Sequence, residues 1–185
     1  MNGINTAARI ISKILEVFHW VGAALMAAAA VCAVAAPDKL SYFVSFDAKE
    51  CCGAELSLYG FDVQAPLVNG QVDMATFLLF GIGAAAILAL MAMVFHNLHQ
   101  ILKRSETASP FQKENIRQLR QIGIFSIAVP VVGFVMSALV GLIVGPDAAE
   151  ISVSQSGIFM GLVILCLTQY FIHGAQLEND VDGLL

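Results

Sequence analysis

Four long apolar runs separated by polar stretches dominate the pattern along the chain, at about residues 14–36, 74–98, 122–144 and 155–172. Each approaches or exceeds the roughly 20 mostly apolar residues that a helix needs to cross a bilayer. Only helices and closed barrels satisfy their backbone groups in hydrocarbon, and none of these runs shows the period-two alternation of a barrel strand. The predicted fold class is an all-α integral membrane protein, a single domain over residues 1–185 with four transmembrane helices.

The stretch between the first two runs, about residues 37–73, is too long for a simple connector. Within it Leu56, Leu58 and Val63 alternate in part, Gly60 separates two short runs, and Asn69-Gly70 reads as a turn. A small β-hairpin cap at the outer end of the helices fits this pattern; an irregular loop is the alternative.

Composition agrees with a lipid environment. Hydrophobic residues make up 58% of the chain, charged residues 12%, and the mean hydropathy is +0.80. Soluble domains carry about a quarter charged residues. The first run also resembles a secretory signal, with Arg9 and Lys13 before it and Ala33-Val34-Ala35 as a small-residue pattern. Glu16 and His19 would sit awkwardly in a signal's apolar region, so an uncleaved span is expected.

The net charge is −5, but the position of the nine basic residues is more informative. Five of them, Lys103, Arg104, Lys113, Arg117 and Arg120, lie between the second and third runs. By the positive-inside rule, residues 99–121 and both termini are expected in the cytoplasm and residues 37–73 outside, in a multi-pass cell-membrane arrangement. One small basic segment is too little for direct nucleic-acid binding.

That segment contains Ser109-Pro110-Phe111-Gln112, a helix start with an N-cap serine, proline at the first helical position and a capping-box glutamine. Phe111, Ile116, Leu119 and Ile122 can then share an apolar side, while Lys113, Arg117 and Arg120 follow at i, i+4 and i+7 on another. These cations could enforce topology and contact anionic lipid. A docking face for a cytosolic partner is the sharper alternative.

In the third run Gly133, Ser137, Gly141 and Gly145 place a small residue at every fourth position, and Gly157 and Gly161 repeat the pattern in the fourth. Small residues let helix backbones approach closely in lipid, within one chain or between copies in a homo-oligomer. Pro130 should bend the third helix and free a backbone acceptor near Ser126.

Cysteines and histidines are the remaining candidates for chemistry. Cys51 and Cys52 are adjacent, too close for an unstrained mutual disulfide; Cys32 could reach either, and Cys166 lies within the fourth run. No Cys-x-x-Cys pair is present. His19, His96, His99 and His173 all fall toward the cytoplasmic ends, and Glu16 is one turn from His19. A metal or haem site, or a proton relay through Glu16 and His19, is conceivable from such a set. Spacing supports neither, histidine is tolerated at the interface, and too few polar residues line the spans for a hydrated path. No catalytic residues and no cofactor are expected.

The segment from His96 through Gly123, followed by two spans and "YFIHGAQLENDVDGLL", resembles the bacterial membrane family named domain of unknown function 2975. The match rests on Pro110-Phe111, Asn115, Leu119-Arg120 and Ile122-Gly123, then on Gly174, Ala175 and Leu177 before an acidic tail. Where members often carry basic residues before the Gly-Ala, this chain has Ile172 and His173. The resemblance implies four spans, no established enzyme activity, and frequent encoding beside small helix-turn-helix regulators. The function expected is therefore that of a non-enzymatic membrane-embedded interaction or regulatory protein. A small transporter or channel component, and a haem- or metal-bearing subunit, are the alternatives.

Overall fold

A computed structural model describes residues 3–35, 54–65, 67–68, 71–105, 111–149 and 154–182. Four long helices carry most of them: α1 (Gly3–Ala35), α2 (Met74–Arg104), α3 (Lys113–Ile143) and α4 (Gln155–Asp182). All four are long and apolar enough to cross a membrane. Two small antiparallel hairpins follow α1, formed by β1 (Ala54–Leu58) with β2 (Phe61–Ala65) and by β3 (Leu67–Val68) with β4 (Gln71–Val72). Asn69-Gly70, expected to turn the chain, lies outside the described residues.

The helices outrun the apolar stretches that announce them. At 1.5 Å per residue, the 31 residues of α2 span about 46 Å, against a hydrocarbon layer of about 30 Å. Asp73 begins α2 by accepting from the Thr76 backbone N–H at 2.9 Å and from its hydroxyl at 2.8 Å, the work of an N-cap. Lys103 and Arg104 fall in the last turn of α2, where cations meet the carbonyl end of the helix dipole. The basic segment is thus partly the end of one helix and partly the start of the next. Its described start is Lys113, with the Ile116 N–H donating to Gln112 O at 3.1 Å. Ser109 and Pro110 lie outside the described residues, and Phe111 precedes α3 instead of joining its apolar side. Pro130 leaves α3 assigned as a single unbroken helix.

The described chain separates into two compact units. The first comprises residues 1–19, 90–128 and 155–185; the second comprises 20–89 and 129–154. α1, α2 and α3 contribute a stretch to each, and α4 belongs to the first.

In the second unit the β1–β2 hairpin is built on alternation. Leu58 faces Phe61 and Leu56 faces Val63 on one side, while Ser57 faces Asp62 and Glu55 faces Gln64 on the other. The Ser57 hydroxyl donates to Asp62 Oδ1 on that polar side. Tyr59 and Gly60 turn the chain with φ of 52° and 81°, a pair of positive values suited to the right-handed twist of a two-residue hairpin. Phe61 is fully buried, stacks on Phe80 of α2 with ring centroids 5.2 Å apart, and lies over Gly83 and Gly133. A Cβ on Gly83 would come within 2.7 Å of the Phe61 ring. Val63 bridges to Ala149, just after the short 3-10 turn Pro146–Ala148. Among the described residues the core of this unit is apolar: Ala84, Ile87 and Val140 are sealed with Phe61 and Val63, and Thr76 and Ser137 are the buried polar residues.

In the first unit α1 and α2 run antiparallel. His19 meets the Phe95 ring, Glu16 meets His96, His99 meets the Arg9 carbonyl, and Asn5 reaches Ser105. α3 and α4 cross at glycines. A Cβ on Gly161 would stand 2.5 Å from Ile127 Cγ1 and 2.8 Å from Gly123 O, and one on Gly123 would stand 2.8 Å from Leu165. Below that crossing, Phe111 covers Gly174 and packs against the Phe171 ring at 5.7 Å.

Candidate functional site

The inward face of α1 changes character along its length. Ser12, Glu16 and His19 are buried at i, i+4 and i+7, and the same face continues as Ala23, Ala30 and Ala33. The polar part belongs to the first unit. There α2 adds buried Asn97, α3 adds Asn115 and Gln118, and α4 adds Thr168. Against these seven polar residues stand, among the described residues, two buried hydrophobic ones, Ala92 and Ile122. One unit thus has a polar core, and the other an apolar one.

Glu16 is the charged member of that core. Its side chain is 7% exposed, and Oε1 accepts from Lys13 Nζ and from His96 Nδ1, each at 3.0 Å. Oε2 is sealed and has no hydrogen-bond partner among the described residues. Lys13 and His96 are 51% and 41% exposed, so both partners also border the outer face of the helices. Burying a carboxylate costs several kcal/mol unless its lone pairs are met, and here only one oxygen has donors. Asn97 Nδ2 and Gln118 Oε1 are likewise sealed without partners among the described residues. Ser12 and Thr168 instead donate to carbonyls one turn back, Ala8 O at 2.7 Å and Ile164 O at 2.8 Å.

Three histidines hold their tautomers through Nδ1. A carbonyl can only accept, so His19 donates Nδ1–H to Leu15 O at 2.7 Å and His99 donates to Arg9 O at 3.1 Å. His96 reaches Glu16, and His173 lies exposed with Nδ1 3.3 Å from Gln176 Oε1. All four belong to the first unit, but among the described residues no three His, Cys, Asp or Glu side chains converge as metal ligands. Glu16 engages His96 across to α2, whereas His19, the partner expected one turn along α1, bonds within its own helix.

The cationic face stands apart from this core. Lys113, Arg117 and Arg120 are exposed along α3, while Asn115, Gln118 and Ile122 are buried on its other side. None of the three cations forms an ion pair among the described residues. Lys103 is exposed at the end of α2; Arg104 is half-buried, with Nη1 sealed and without a partner among the described residues.

The small-residue positions divide in their roles. Gly133 touches the hairpin, with Phe61 Cβ 3.6 Å from where its own Cβ would be, and Ser137 is fully buried. Gly141 and Gly157 are half-exposed. Gly145 lies beyond α3 at φ 145°, a backbone requirement for glycine and no part of a helix stripe. Gly161 is pressed against another helix, and it meets Gly123 and Ile127 instead of the Gly133–Gly145 row. Cys32 and Cys166 are free and exposed; Cys51 and Cys52 lie outside the described residues.

Sequence reasoning passed over Ser12, Asn97, Asn115, Gln118 and Thr168 as members of a polar core. The signal was present as helical spacing: Ser12, Glu16 and His19 share a face with the buried alanines, and Asn115 and Gln118 with Ile122. Of the residues on which the family resemblance was read, Phe111, Asn115, Ile122, Gly123 and Gly174 are at contacts or buried, whereas Arg120 and Leu177 are exposed. Comparison with known protein families, with curated proteins and with solved structures finds no match for this chain.

Proposed function

We propose that the chain is a non-enzymatic, multi-pass cell-membrane protein that works by contact, presenting the start of α3 to an acidic cytosolic regulatory protein. In this reading both termini and residues 99–121 are cytoplasmic, as the clustering of basic residues favours. One observation carries it: Lys113, Arg117 and Arg120 are exposed in a row and have no acidic partner among the described residues. The opposite face of the same turns is buried, so the row sits on an anchored helix and not on a mobile tail. Arginine adds a planar fork that pairs with carboxylates in two parallel hydrogen bonds, which an ammonium cannot reproduce.

A photo-crosslinking residue in place of Glu114, beside Lys113 and Arg117, tests the reading in living cells. The expected product is a discrete protein adduct, reduced several-fold by joint Arg117→Lys and Arg120→Lys substitution at unchanged membrane levels. Adducts to lipid alone, or a protein adduct indifferent to the lysine exchange, would assign the row to membrane-surface attraction instead.

A further inference from the structure

We propose that Glu16 and His96 form a proton-binding site, with His96 as the relay that carries the proton from the exposed surface to the buried carboxylate. Geometry places the parts in order. The His96 ring is 41% exposed, while its Nδ1 lies 3.0 Å from Oε1 of a carboxylate that is 7% exposed. Imidazole is suited to this task because its two nitrogens are on opposite edges, so one can face the surface while the other faces the acid. Glu16 Oε2, sealed and without a partner among the described residues, is the feature a permanently ionised structural ion pair would leave unexplained. A protonated carboxyl removes the cost of that sealed charge.

The step balances without any other reactant. A proton binds His96 Nε2 and makes the ring an imidazolium. The Nδ1 proton then crosses to Glu16 Oε1. The ring is left neutral with its hydrogen on Nε2, and Glu16 becomes a carboxylic acid. One proton has entered, and no bond between heavy atoms has changed. Lys13, whose Nζ shares Oε1, loses its counter-charge in the same step; it precedes the first apolar run and its side chain is 51% exposed.

The charged and titratable groups around the pair are few. α1 supplies Lys13, with Arg9 one turn before it and His19 one turn after Glu16, and α2 supplies His96, with His99 one turn further and Lys103 and Arg104 toward its end. Among the described residues the buried polar side chains of α3 and α4 in this unit are Asn115, Gln118 and Thr168, none of which titrates, while Lys113, Glu114, Arg117 and Arg120 of α3 and His173, Glu178 and Asp180 of α4 are exposed. The proposal is independent of the docking reading, since those three cations take no part in it.

Infrared difference spectroscopy on the full-length protein in lipid nanodiscs tests it as pH is lowered. The expected result is a protonated-carboxyl C=O band that disappears in Glu16→Gln and shifts in frequency in Glu16→Asp, which keeps a carboxyl. After transfer to D2O, the band should exchange at least tenfold more slowly in His96→Phe than in the unsubstituted protein, while His99→Phe keeps the original rate. If the unsubstituted protein shows no such band across its range of stability, the pair is a structural ion bridge and the proposal fails. Equal exchange rates with and without the His96 imidazole would overturn the relay.

Discussion

Gly161 and Gly133 occupy similar places in the sequence pattern, but the structure asks opposite things of them. A Cβ at Gly161 would press on Ile127 and on the backbone oxygen of Gly123, which cannot rotate away. Gly161→Ala is therefore expected to force α3 and α4 apart and to cost about 1–3 kcal/mol, as overpacking does. A fall in the detergent melting temperature, with a broadened size-exclusion peak, would register it. Gly133→Ala places its Cβ at an ordinary 3.6 Å from Phe61 Cβ and gains up to about 1 kcal/mol of helix propensity, so no loss of stability is expected. An unchanged melting temperature in Gly161→Ala would show that the α3–α4 crossing does not depend on Gly161. Tyr59 offers a residue-scale test by pH. Burial raises its phenol above the ordinary tyrosine value, so the folded hairpin prefers the neutral form. The associated stability is fully present below the unfolded-state pKa and is lost as pH rises through the folded one. An ultraviolet titration should show Tyr59→Phe removing a phenolate step above the ordinary tyrosine range, and an unchanged titration would contradict that environment.

Among the elements, the β1–β2 hairpin depends on one side chain. Phe61 fills the space between Phe80, Gly83 and Gly133, and its loss leaves that space empty. Phe61→Ala is expected to cost about 3–5 kcal/mol and to raise hydrogen exchange across residues 54–65 before it does so in α2. Exchange that stays slow in those strands would mean that the backbone ladder and the Val63–Ala149 bridge hold the hairpin without the aromatic plug. Much of this element was legible, since Leu56, Leu58 and Val63 alternate and Gly60 separates the strands. Where Phe61 goes was not, because a strand pattern shows which side is apolar and says nothing of what that side covers. The helices show the same division. Apolar runs located all four, but each run marks only the length apolar enough for lipid, whereas the helix continues into polar sequence for as long as its backbone bonds and buried face persist. α2 therefore reaches Arg104, and α1 begins well before Ile14. The polar core was hidden for a related reason. Its members are scattered over four helices, one or two to each beyond α1, and only folding gathers Ser12, Glu16, Asn97, Gln118 and Thr168 into one unit.

At the scale of the molecule, four helices fit to cross a membrane carry two units with cores of different chemistry. The apolar one is closed by the hairpin and the turn at Ala149. The polar one holds the only charged side chain buried among the described residues, and the exposed cations of α3 belong to its segments. Every functional reading offered for those cations depends on which side of the bilayer they face. Thiol labelling decides this most directly. In a background with the four native cysteines replaced, Ser105→Cys, exposed after the last turn of α2, is compared with Glu55→Cys, exposed on β1. The expected result with a membrane-impermeant maleimide is labelling of Glu55→Cys in intact cells, and of Ser105→Cys only after the cells are opened. Labelling of Ser105→Cys in intact cells, with Glu55→Cys protected, would place the basic row outside and contradict the account.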